Sequence, residues 1–146
     1  MNIERELLSR SEEETEAFAA QLAHELPRGT VLALEGDLGA GKTVFSRGFA
    51  RGLGITEPVS SPTYTIIQEY SLPGGGRLYH LDLYRIANSA SALAFGVDEF
   101  LDDPESVALV EWPARIADIL PPGTLRVEIV HLSENERRVT VRGWFR

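Results

Sequence analysis

The chain contains no cysteine and only one lysine. Without cysteine there can be no disulfide framework, no thiolate zinc site and no cysteine nucleophile. No apolar run approaches the roughly 20 residues of a membrane-spanning helix. The first residues are polar and acidic, unlike a secretory signal, so a cytoplasmic protein without membrane association is the expectation. Positive charge is also scarce: 14 Lys and Arg against 22 Asp and Glu give a net charge of −8. That balance excludes an overall electrostatic footprint for direct nucleic-acid binding. A local basic cluster at Arg137, Arg138, Arg142 and Arg146 reads most simply as a solvated strand face and tail. Repeats, linkers and low-complexity segments are missing too. A length of 146 residues suits one domain with a real core.

What is present begins with Gly36-Asp37-Leu38-Gly39-Ala40-Gly41-Lys42-Thr43, the spacing of a phosphate-binding loop. Glycines let the backbone turn tightly and bring its N–H groups against a phosphate chain. Lys42 supplies a compact charge to the outer phosphates, and Thr43 offers a hydroxyl to magnesium. The apolar run Val31-Leu32-Ala33-Leu34 before the loop reads as a buried strand, and Lys42 to Leu53 as a helix aiming its positive end at the same anion. Lys42 is the single lysine beside thirteen arginines, and it sits where a planar guanidinium is no simple substitute. The absence of a second lysine also removes the Asn-Lys-x-Asp guanine signature, which favours ATP by elimination.

Ser11-Glu12-Glu13-Glu14 has the form of a capping box, and the following apolar spacing predicts a helix to Glu25. The hydroxyl-rich stretch Ser60-Ser61-Pro62-Thr63-Tyr64-Thr65 has two readings. It can supply a second hydroxyl to a metal or γ-phosphate, or it is a turn leading into a strand. Residues 63–70 and 77–85 read as a hairpin around Leu72-Pro73-Gly74-Gly75-Gly76. On the second strand Leu78, His80, Asp82 and Tyr84 share one face. Asp82 there needs a partner, either Arg85 or a backbone amide, or else magnesium and its water. His80 reads as a hydrogen-bonded core residue rather than a ligand. Asn88 to Ala94 is a short capped helix, Phe95-Gly96-Val97 and Phe100-Leu101 are packing residues about a turn, and the acids from Asp98 to Glu105 form a solvated face.

Val107-Ala108-Leu109-Val110-Glu111 suits a strand covered on both faces, whose carboxyl end is where open parallel sheets bind ligands. Glu111 is then either a strand-end acid or a group beside the loop that holds magnesium or orients the attacking water. After a short helix over 114–120, residues 125–132 and 138–144 pair through the turn Ser133-Glu134-Asn135-Glu136. The whole of residues 1–146 is thus expected to be one α/β domain of the P-loop NTPase type, a mainly parallel sheet with antiparallel hairpin additions, flanked by helices.

Several stretches in this order resemble one family: Gly36 to Thr43, Ser46-Arg47-Gly48, Ser61 to Thr65, Tyr79-His80-Leu81-Asp82-Leu83-Tyr84-Arg85, Phe95-Gly96-Val97 and Val110-Glu111-Trp112-Pro113. Over nearly its whole length the sequence resembles the bacterial TsaE (YjeE) ATPases. The resemblance implies binding of ATP and Mg2+, slow ATP hydrolysis, and work with TsaB and TsaD type proteins in a complex that makes threonylcarbamoyladenosine beside the anticodon of tRNAs reading codons that start with A. Contact with tRNA would be indirect. It further implies that Lys42 contacts phosphates, that Thr43 and Glu111 hold magnesium, that Thr63 belongs to a nucleotide-responsive segment, and that Asp82 and Trp112 serve activity. Ser60 stands where many relatives carry lysine, and the helix after Asn88 lacks their glutamates. Two other classes use the same loop: a small-molecule kinase, for which the chain shows no arginine-rich lid segment, and a nucleotide-gated binding module in which hydrolysis is incidental.

Overall fold

Short apolar runs alternate with amphipathic stretches along the chain. In the computed structural model, which describes residues 2–37, 39–59 and 66–144, they form a seven-stranded sheet flanked by helices. The elements are β1 (Asn2–Ser9), α1 (Glu12–Glu25), β2 (Val31–Glu35), α2 (Lys42–Gly52), β3 (Ile67–Ser71) and β4 (Arg77–Asp82), followed by α3 (Ser89–Ala94), α4 (Val97–Leu101) and β5 (Val107–Glu111), then a 3-10 segment Pro113–Ile119, β6 (Leu125–His131) and β7 (Arg137–Trp144). Across the sheet they lie in the order β1-β7-β6-β2-β5-β4-β3. The middle strands β6, β2, β5 and β4 run parallel, while β3 at one edge and β7 with β1 at the other add antiparallel.

Because successive side chains leave a strand on opposite faces, each central strand feeds two cores. Leu32 and Leu34 of β2, Leu78 of β4 and Val107 and Leu109 of β5 pack with Leu22, Phe45 and Phe49 of α1 and α2. Val31, Tyr79, Leu81, Ala108 and Val110 pack on the other face with Val97, Leu101 and Ile116. Every residue of β5 is buried, as expected of a strand with parallel neighbours on both sides. Strand β6 instead alternates, with Leu125, Val127 and Ile129 inside and Arg126 and Glu128 outside.

Helix α2 is held against α1 by two glycines. A Cβ on Gly48 would lie 2.4 Å from the Glu16 carbonyl oxygen, and one on Gly52 2.5 Å from that of Ala20. These positions, one helical turn apart, let the two backbones touch and so fix where the first turn of α2 points.

The structure departs from several sequence expectations. Nothing in the sequence pattern foreshadows β1, whose Glu4, Arg5 and Glu6 are exposed; a charged outer strand suits an edge that must not pair with other chains. Helix α1 starts as expected, with the Ser11 hydroxyl accepting from the Glu14 amide at 3.1 Å, but the Glu14 carboxylate reaches the Arg10 amide (2.9 Å) instead of closing a box on Ser11. Strand β3 spans Ile67–Ser71, residues 63–65 of the expected strand lying outside the described residues, and β4 ends at Asp82 rather than at residue 85. The turn after Phe95 continues as α4. Val97 and Leu101 are buried there, whereas Phe95, expected to pack, is 64% exposed. The segment after Trp112 is a 3-10 run broken at Ile116, not an α-helix. Within the acidic stretch Asp103 is structural: it accepts from the Ser106 hydroxyl, the Glu105 amide and the Tyr79 hydroxyl, which hold its carboxyl below the usual range. No helix among the described residues is long and apolar enough to cross a membrane.

Replacing Gly48 with alanine is expected to cost about 1–3 kcal/mol, the usual penalty for forcing atoms into a packed contact, because the obstacle is backbone that cannot rotate away. Urea unfolding of Gly48→Ala measures it, and a midpoint equal to wild type would refute the close-contact account.

Candidate functional site

The loop between β2 and α2 lies at the carboxyl end of the central parallel strands, where adjacent connections leave a crevice. Gly36 starts the loop under the backbone of β6: a Cβ there would lie 2.7 Å from the Ile129 carbonyl oxygen. The Ala40 amide closes a turn onto the Asp37 carbonyl (3.0 Å), and Gly39 and Gly41 take φ of 80° and 111°. Gly41 is the N-cap of α2, and its carbonyl accepts the first helical bond, from the Phe45 amide at 3.0 Å. Leu38, the remaining residue of the loop, lies outside the described residues.

Lys42, the first residue of α2, is only 6% exposed, and its Nζ has no hydrogen-bond partner among the described residues. It sits instead over the Trp112 ring, with Nζ 4.2 Å from the ring centroid. A cation–π contact of this kind is worth up to about 2 kcal/mol when desolvated, less than a buried ammonium loses by leaving water. The ammonium thus has donors that no described residue takes up and that an anion's oxygens could accept. The positive end of α2 adds to this. Thr43 follows on the helix, half-buried. A groove of about 800 Å³ runs past Gly36, Asp37, Lys42 and Trp112 towards Arg126 and Glu128 of β6.

Strand pairing brings the carboxylates together. Leu34, Glu111 and Asp82 are successive partners across β2, β5 and β4. The pleat turns Glu111, like Leu109, and Asp82, like Leu78, to the α2 face. Glu111 is 4% exposed, and its Oε2 lies 2.6 Å from Nε2 of the fully buried His80. Asp82 has a backbone partner: its Oδ1 accepts from the Tyr84 amide at 3.0 Å. Desolvation raises the Asp82 pKa; the Tyr84 bond opposes this, Glu111 adds to it, and the His80 and Lys42 charges oppose it. Those couplings put Asp82, Glu111, His80 and Lys42 in one electrostatic neighbourhood.

Trp112 follows Glu111 with φ 59° and ψ 50°, left-handed backbone found at no other non-glycine residue among those described. Such a conformation costs about 1–3 kcal/mol and persists only where surroundings enforce it. It breaks the alternation of β5 so that consecutive residues 111 and 112 both serve the site, and the Tyr84 ring braces the indole at 5.0 Å between centroids.

Two features are not evident from the sequence. His80 is the hydrogen-bonded core residue that its strand position suggests, but its partner follows only from the pairing of β4 with β5. Arg137 is not a solvated basic residue. It is half-buried, its Nε donates to the Ala40 carbonyl (3.0 Å), and Nη1 donates to the carbonyls of Ser133, Glu134 and Glu136, so it staples the β6–β7 turn to the phosphate loop. Arg138, by contrast, pairs at the surface with Glu6 (3.6 Å) and Arg142 is exposed. Thr63, with the rest of residues 60–65, lies outside the described residues.

The comparisons with known proteins agree with one another. The sequence profile of the family described as "Threonylcarbamoyl adenosine biosynthesis protein TsaE" matches residues 9–139. A protein of Bacillus subtilis named tRNA threonylcarbamoyladenosine biosynthesis protein TsaE is 48% identical over 128 residues, covering 88% of this chain and 78% of its own. Its namesake in Aquifex aeolicus is 36% identical over 143 residues, covering 97% and 98%. The crystal structure of Bacillus subtilis YdiB superposes with a TM-score of 0.80 at 40% identity, over 98% of this chain and 87% of the other.

A carboxyl whose pKa is higher folded than unfolded favours the native state most at low pH, and that contribution is lost as pH rises through the folded value. Asp82→Asn keeps an acceptor for the Tyr84 amide and removes the ionised form. The ligand-free variant is therefore expected to melt no lower than wild type at neutral pH, with a flatter pH dependence above the ordinary carboxylate range. A lower melting temperature at pH 7 would show that the ionised carboxylate stabilises the fold.

Proposed function

Since the chain belongs to the TsaE family of threonylcarbamoyl adenosine biosynthesis proteins, we propose that it binds ATP with magnesium, hydrolyses it slowly, and couples that turnover to partners of the TsaB and TsaD type during threonylcarbamoylation of tRNA adenosine. The observation that carries the ATP reading is the buried Lys42 ammonium, without a hydrogen bond among the described residues, at the start of α2 and beside a groove of about 800 Å³. An anion with several acceptor oxygens supplies what that ammonium and the first N–H groups of the helix lack.

Lys42 takes the outer phosphate oxygens, and the loop amides around Gly39 to Lys42 take the others. In doing so Lys42 exchanges the indole face of Trp112 for charge-assisted hydrogen bonds. Thr43 and Glu111 would hold magnesium, a hydroxyl and a carboxylate being the hard oxygen donors that this ion prefers. When bound, magnesium neutralises charge that develops on the transferring phosphoryl group. Glu111 also accepts from the attacking water and orients it, and Asp82 adds negative charge on the same side. Positioning and electrostatics carry most of the barrier reduction in phosphoryl transfer, so this minimal set supports slow hydrolysis. Faster turnover would require a further cation at the γ-phosphate, from Arg85 or from a partner. Contact with tRNA is assigned to those partners, because the net charge of −8 opposes a polyanion.

Lys42→Ala is expected to abolish tight ATP binding, while Glu111→Gln binds ATP but loses magnesium-dependent turnover by about 100-fold or more, the scale set by removing one preorganised electrostatic group. Binding is read from Trp112 fluorescence in a Trp144→Phe background, and turnover from phosphate release. Reconstitution of tRNA modification with and without the protein then tests the coupling. Equal ATP affinity and turnover in wild type and both variants would refute the site assignment, and modification that proceeds equally without the protein would refute the coupling.

A further inference from the structure

Glu111 is the carboxylate on which the proposed function depends, and a buried carboxylate needs something to hold it. Parallel pairing of β4 with β5 sets His80 beside Leu109 and Asp82 beside Glu111, and the pleat sends His80 and Glu111 to the same face. His80 has no exposed surface, and its Nε2 is 2.6 Å from Glu111 Oε2. An ionised carboxylate can only accept, so Nε2 carries the proton. His80 Nδ1 is buried without a hydrogen-bond partner among the described residues, so the contact through Nε2 is the hydrogen bond that holds the ring. The ring is accordingly tethered to the carboxylate through Nε2.

That choice of partner has a chemical consequence. The buried ring supplies one hydrogen bond of fixed direction. It also commits one oxygen, Oε2, and leaves Oε1 as the oxygen not engaged by the ring. We infer that His80 is a positioning residue for Glu111: it fixes the rotamer and the oxygen that the glutamate presents, without contacting substrate or metal itself. This rests on the reading of Glu111 as the magnesium-side and water-orienting carboxylate.

The test compares His80→Leu, His80→Gln and His80→Asn in the full chain. The glutamine amide nitrogen falls where Nε2 was and can still donate to Glu111; the asparagine amide is one bond too short. Two readouts are taken: kcat with the half-saturating magnesium concentration for ATP hydrolysis, and binding of Mn2+ to the ATP-loaded protein by electron paramagnetic resonance, which needs no turnover. His80→Leu and His80→Asn are expected to lose about 10- to 100-fold in metal affinity or kcat, the usual effect of removing a hydrogen bond to a ligating group. ATP affinity in EDTA should stay at the wild-type value, and His80→Gln should recover most of the loss. Should His80→Leu fail to fold, the Gln and Asn pair decides. Wild-type metal binding and kcat in His80→Asn, or a glutamine variant no better than asparagine at equal thermal stability, would overturn the positioning role. A wild-type protein that binds ATP equally with and without magnesium would instead overturn the proposed function, and this inference with it.

Discussion

The structure is built around one cation without a hydrogen bond among the described residues, the ammonium of Lys42, enclosed at the first turn of α2 with an indole face for company. A buried cation is tolerated only if the fold leaves it nowhere cheaper to go. Several contacts enforce that. Gly48 and Gly52 let α2 lie against the backbone of α1, so the helix cannot swing its first turn outward. Gly36 passes under the carbonyl of Ile129 where no side chain would fit. Arg137 grips the Ala40 carbonyl from the β6–β7 turn. Each holds the loop from a different element, and together they preorganise an anion site that a solvent-exposed lysine could not provide.

Opposite the cation, the sheet supplies acids by simple pleating. Because Glu111 shares a face with Leu109, and Asp82 with Leu78, the same alternation that buries leucines against α2 delivers two carboxylates to its N-terminus. Their cost differs. Asp82 is half-buried, capped by the Tyr84 amide, and has its pKa raised by desolvation. Glu111 is deeper and relies on His80. Trp112 then breaks the pleat with a left-handed backbone, placing an aromatic face beside the lysine immediately after the acid. Local strain here is part of how two adjacent residues reach one site.

Much of this fold is legible in the amino-acid sequence. The phosphate loop, the apolar runs of β2 and β5 and the alternation of β6 and β7 carry their signals within a few residues, where spacing alone decides. What is not legible depends on pairing across long separations. His80 and Glu111 are 31 positions apart, and Arg137 and Ala40 are 97 apart. Composition makes Arg137 look like one of several surface arginines. Strand β1 is hard to see because its charged run Glu4-Arg5-Glu6 interrupts Ile3, Leu7 and Leu8, and as an edge strand it forms only once β7 offers it a partner. Phe95 misleads in the other direction, since an aromatic residue near valine and leucine looks like core, yet it stands 64% exposed.

The division of labour among cations ties these points together. Arg28 donates to the carbonyls of Pro73, Gly75 and Glu105, and Arg137 to those of Ala40, Ser133, Glu134 and Glu136. Both use the planar fork of the guanidinium to bind several fixed carbonyl oxygens at once and so lock turns in place. That geometry suits a static partner. A compact ammonium on a flexible stem suits a partner that arrives and leaves, because three rotatable donors can follow changing oxygens. With thirteen arginines and one lysine, the chain places its single ammonium where no acceptor among the described residues engages it. The guanidiniums of Arg28 and Arg137, by contrast, are spent on the protein's own carbonyls. The distinction between holding the fold and meeting a ligand is thus written in the choice of cation, and it is why Lys42 can be buried and still unsatisfied by the described residues.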